Sequence, residues 1–171
     1  MDAQIQRQVQ KLVTNLDDVL SLYRNLLEVI RKEKELLIAA DRDGLDENNV
    51  LKEQLLSKIK LVDGIRVRSA SDLALLVGAD AENPRLLDIA QRVGGTASDK
   101  FRAQHSALEI VIKRIVELNK ENEEYAQAAL KNLAGAMGEL RETITGKSTY
   151  ERKGQYKMGP QVAGNFVSKE A

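Results

Sequence analysis

The chain has 171 residues, 43% hydrophobic and 30% charged, with Lys plus Arg and Asp plus Glu balanced at 26 each. That is one domain's worth of sequence, too apolar for full disorder, and its charge balance supplies no net field for nucleic acid or an anionic membrane. Cysteine and tryptophan are absent, proline occurs twice, and His105 is the single histidine. This excludes disulfides, thiolate metal sites and cysteine nucleophiles, and it argues against an aromatic-rich β fold.

Residues 2 to about 40 predict a long amphipathic helix. Ile5, Val9, Leu12, Leu16, Val19, Tyr23, Leu26, Ile30 and Leu37 fall at alternating steps of four and three, broken only by Glu33. Such spacing is a coiled-coil seam, which Val13, Leu20 and Leu27 widen on one side. Asp41-Arg42-Asp43-Gly44 predicts the stop, with Gly44 taking the left-handed turn conformation. A second helix follows, with Leu51, Leu55, Ile59, Val62 and Ile65 as its inner face, and so short a break implies an antiparallel hairpin. Residues 69–98 read as a connector. It holds a short turn from Leu73 to Val77 that stops at Gly78, and a small helix opened by Asn83-Pro84 and closed by Gly94-Gly95.

The last helix is expected from about Ser98-Asp99 to about Thr145. Its seam is Phe101, His105, Leu108, Ile112, Ile115, Asn119, Asn122, Ala126, Ala129, Leu133, Ala136 and Leu140. At 1.5 Å per residue such a helix spans roughly 70 Å, which predicts a rod-like bundle. From Gly146 onward glycine punctuates a polar stretch read as a flexible tail. The expected fold is therefore all-α: an elongated antiparallel bundle or coiled coil of three long helices over residues 1–145, with a short helical connector, and a flexible tail over 146–171. No run of apolar residues resembles a signal peptide or reaches the roughly 20 residues of a membrane span. The expectation is a cytoplasmic chain without membrane insertion.

No grouping supports catalysis, a metal or a cofactor. Asp41-Arg42-Asp43-Gly44-Leu45-Asp46 resembles a calcium loop, but Leu45 and Lys52 stand where oxygen ligands are required. His105 would need an acid or nucleophile partner to act as a base, and Ser106 beside it points elsewhere on a helix. Gly94-Gly95-Thr96 has neither a preceding strand nor a following Gly-Lys-Ser, so it is a helix stop and not a phosphate loop.

Two features of the last helix suggest binding. Asn119 and Asn122 occupy adjacent seam positions, where they either fix register or offer a polar notch to a partner's backbone. Leu130, Leu133, Met137, Leu140 and Ile144 form an apolar row flanked by small alanines, which is either intramolecular core or a groove for a partner's amphipathic helix. Tyr150, Tyr156, Met158, Phe166 and Val167, spaced among polar residues, fit either a motif that orders on a partner or an inert tail.

The opening hairpin, the connector and a last helix carrying Leu118-Asn119-Lys120-Glu121-Asn122 resemble the FlgN-type flagellar export chaperones, whose last long helix carries a similar L-N-x-x-N. Tyr150-Glu151-Arg152-Lys153-Gly154-Gln155 is similar to the Y-x-x-x-G-Q-like stretch that follows that helix in the family. The resemblance implies a cytoplasmic chaperone that holds the C-terminal helical segment of hook-associated proteins and delivers them to the flagellar export apparatus. It implies substrate binding at Leu130, Leu133, Met137, Leu140 and Ile144, with Asn119 and Asn122 beside them, and export-gate docking through Tyr150, Gly154 and Gln155. The expected state is a monomer or weak homodimer. The competing expectation is a structural coiled-coil or adaptor protein that dimerises through its seams and has no secretion substrate.

Overall fold

In the computed structural model, which describes residues 2–145, the seam of the first helix packs as its spacing requires. The helix α1 spans Ala3–Ala39 and buries Val9, Leu12, Val13, Leu16, Val19, Leu20, Leu26, Leu27, Ile30 and Leu36. Its N-cap is Asp2, whose carboxylate accepts from the Gln4 amide at 3.0 Å. The stop falls earlier than Gly44. Ala40 takes the left-handed conformation at φ 53°, donating to the Leu37 carbonyl while Asp41 N–H donates to that of Leu36. These two bonds satisfy carbonyls that the helix end would otherwise orphan.

Gly44 lies instead in the first turn of α2, Arg42–Val77, where its N–H donates to the capping Asp41 carboxylate at 3.0 Å. The glycine is needed for space. A Cβ there would stand 2.6 Å from Asp41 Oδ2 and 2.7 Å from Leu36 Cδ2. Gly44→Ala is therefore expected to lower stability by about 1 kcal/mol in urea denaturation, since losing the cap and shifting Leu36 outweigh alanine's better helix propensity.

The helix α2 does not end before residue 69. It runs unbroken to Val77 and stops at Gly78, which is left-handed at φ 72°. Ser69-Ala70-Ser71 reads as a connector because small polar residues punctuate loops. Here Ser69 and Ala70 are small because α1 passes close to them: Asn15 Nδ2 donates to Ser69 Oγ at 2.7 Å. The inner face of α2 is correspondingly shifted. Ile59, Ser69, Ala70, Leu73 and Ala74 are buried, whereas Leu51 and Ile65 are about half exposed. Asp80 then ties down the link by accepting from the Glu82 and Asn83 amides. The helix α3, Leu86–Val93, starts two residues beyond Pro84 and closes at Gly94, φ 68°. The helix α4, Gly95–Thr145, follows at once, earlier than Ser98.

The chain divides into two units, Met1–Glu123 and Glu124–Ala171. In the first, α2 runs antiparallel to α1, as the Asn15–Ser69 and Glu33–Lys52 contacts require, and α4 runs parallel to α1, as the Gln104–Asp17 and Glu121–Lys34 contacts require. Two apolar clusters fill it. One joins Val9, Leu12, Val13 and Leu16 of α1 to Ala70, Leu73 and Ala74 of α2, Ile89 and Ala90 of α3 and Phe101 of α4. The other joins Leu26, Leu27 and Ile30 to Ile59, Ile115 and Leu118. The described part of the second unit, residues 124–145, is helical. No strand occurs among the described residues, so the all-α helical bundle is the fold.

Candidate functional site

The inner row of α4 within the first unit is Phe101, Gln104, Leu108, Val111, Ile115, Leu118 and Asn122, again at steps of three and four. Four of these positions are the expected ones. His105, Ile112 and Asn119 are displaced by Gln104, Val111 and Leu118, each one residue earlier. His105 is half-buried on the flank, with Nδ1 3.7 Å from a Glu109 carboxylate oxygen, and Ile112 is 40% exposed. A buried glutamine takes a seam position because its polar end is used: Gln104 Nε2 donates to the Val13 carbonyl at 3.1 Å and to Asp17 Oδ1 at 2.6 Å.

The two asparagines are spent inside the bundle. Asn122, only 4% exposed, donates both amide hydrogens to α1, to the Ile30 carbonyl and to Glu33 Oε2, each at 3.0 Å. Glu33, which interrupts the seam of α1, also accepts from Lys52 Nζ of α2 at 2.9 Å. Lys52 donates in turn to Asn119 Oδ1 at 3.3 Å. Four polar side chains from three helices thus bond to one another where lone charges would be costly to bury, while Asn122 Oδ1 and Gln104 Oε1 are buried without a partner among the described residues. Glu33, Lys52 and Gln104 are absent from the sequence-based set of site residues. Their signal was available: each is a polar residue at, or facing, an otherwise apolar row.

One turn outward, Lys34 Nζ donates to Glu121 Oε2 at 2.6 Å. That bond and the Lys34 charge hold the Glu121 carboxyl below its ordinary range, with Arg114 adding a smaller pull against partial desolvation. A carboxyl that binds its proton less tightly folded than unfolded stabilises the fold above the ordinary carboxylate range, and this contribution is lost as pH falls through the lowered value. Glu121→Gln should therefore melt below the parent near neutral pH and converge with it in acid, the gap narrowing as salt rises. A gap of equal size at every pH would assign the effect to packing.

In the second unit, Leu130, Leu133, Met137, Leu140 and Ile144 are between 58% and 74% exposed. Steps of three, four, three and four align them on one helix face. The row is a ridge on a single helix rather than a groove, and no side chain among the described residues covers it. Residues of this kind at this spacing match the apolar half of a helix–helix contact, which needs a partner helix to complete it. Tyr150, Gly154 and Gln155, like the tail as a whole, lie outside the described residues.

The described residues thus form an all-α bundle whose polar seam side chains bond between helices, and its last helix exposes an apolar row. The family model described as FlgN protein matches residues 1–158, and the chain belongs to the FlgN family. It is thereby a flagellar export chaperone. No curated protein and no solved structure matches it. Among the described residues, no helix is long and apolar enough to cross a membrane.

Proposed function

We propose that this chaperone works in the cytoplasm, holding hook-associated proteins by their C-terminal helical segments and passing them to the flagellar export gate. The observation that carries the reading is the exposed row Leu130, Leu133, Met137, Leu140 and Ile144. Export substrates of this class polymerise through terminal amphipathic helices, and a helix that pairs with one of them masks the sticky surface until delivery. Affinity comes from apolar area removed from water, at roughly 25 cal/mol per Å² before ordering costs are subtracted. Methionine in the row adapts to more than one partner packing. Asn119 and Asn122 drop out of the contact surface, because their side chains serve α1 and α2. Release requires no hydrolysis, only a competing contact at the gate, for which Tyr150, Gly154 and Gln155 remain the proposed docking residues.

Calorimetry of the full chain against C-terminal segments of hook-associated proteins tests the reading. A one-to-one complex supports it. No heat at roughly tens of micromolar, with a tight homodimer formed through the 130–144 row instead, would replace it with a self-associating structural protein.

A further inference from the structure

We infer that Gln104, Asn119 and Asn122, with Glu33 and Lys52, are a register lock whose task is to stop α4 from sliding along α1 and α2 into an alternative apolar packing. Sequence and structure together create the need for such a lock. Three-and-four spacing of apolar residues recurs along the inner row of α4, so Leu108, Val111, Ile115 and Leu118 repeat the positions of Phe101, Gln104, Leu108 and Val111 seven residues on. A seam of period seven can slip by seven residues, about 10 Å along the axis, and remain apolar against apolar.

The polar side chains make the slipped state costly at both ends. Moved by seven residues, Asn122 would take the place of Ile115, among Leu26, Leu27, Ile30 and Ile59. Ala129 would replace Asn122 and Ala126 would replace Asn119, leaving Glu33 and Lys52 without their α4 partners. At the other end Val111 would replace Gln104, and the Val13 carbonyl and Asp17 would lose their donor. Buried polar groups stripped of partners penalise a wrong alignment far more than they favour the right one, which is how a lone seam asparagine sets coiled-coil register. The lock holds whatever the identity of the partner, so it can fail independently of the chaperone reading.

The chain has no cysteine, so engineered pairs can report the register. Lys34→Cys with Glu121→Cys reads the native alignment, and Lys34→Cys with Ala128→Cys reads the slipped one. Each pair is oxidised in two backgrounds: the parent, and a chain carrying Glu33→Leu, Lys52→Met, Asn119→Leu and Asn122→Leu. In the parent, the slipped pair should cross-link less than the native pair by about tenfold or more. In the apolar background that difference should be lost, with the melting temperature kept or raised. Equal discrimination in both backgrounds would overturn the lock. Should the fourfold variant fail to fold, Asn119→Leu with Asn122→Leu alone must still raise the slipped fraction, and an unchanged fraction in that chain would overturn it equally.

Discussion

Replacing Phe101 by alanine is expected to lower the stability of the bundle by about 3–5 kcal/mol, a large part of the ~5–15 kcal/mol that holds a domain together. Phe101 is fully buried and is the α4 member of the cluster to which α1, α2 and α3 all contribute. Its neighbours on α2 and α3 include Ala70, Ala74 and Ala90, which have no side-chain length with which to fill the space a ring leaves. The cavity should therefore persist, and the cavity cost adds to the lost burial. Urea denaturation should show the midpoint falling without a change in slope. Leu75→Ala is the control: that leucine is 74% exposed, and its loss should stay within about 0.5 kcal/mol. If the two variants unfolded alike, the packing around Phe101 would not be the keystone described here.

The long helices were legible in the sequence because heptad spacing is a statement about geometry that survives folding. The α1 seam from Val9 to Ile30 is buried as its spacing required, apart from half-buried Tyr23, and Gly78 and Gly94 stop helices because left-handed backbone suits glycine. Where the reading failed, a polar or small residue was given its commonest role. Spacing alone favours His105 over Gln104, since a glutamine belongs in a core only when acceptors such as the Val13 carbonyl and Asp17 wait for it. Those acceptors belong to another helix ninety residues away in sequence, and no local pattern announces them. Ser69 and Ala70 read as part of a connector for a related reason: small residues mark both turns and close helix crossings, and only the crossing distance distinguishes the two. The same logic governs Glu33. Alone it interrupts a stripe; opposite Lys52 and Asn122 it joins three helices.

That contrast explains why the 130–144 row carries the functional argument while the asparagines do not, and it sets the second large effect. Leu133→Asp with Met137→Asp should weaken binding of a hook-associated C-terminal helix about a thousandfold or more. Each side chain, once covered by a partner, is worth about 1.5–3 kcal/mol, and each carboxylate adds the penalty of burying an unpaired charge. In the free protein both positions are more than half exposed, so nothing in the core is disturbed. Circular dichroism should register only the modest propensity cost of aspartate in a helix, about 0.5 kcal/mol per site. Exchanging the two apolar residues, Leu133→Met with Met137→Leu, preserves area and should preserve affinity within about tenfold. Lys131→Gln, exposed but outside the apolar row, should leave it unchanged. Binding that survived both aspartates would move the partner surface off this row, whereas binding lost equally in the exchanged variant would mean that the contact reads side-chain shape and not simply apolar area.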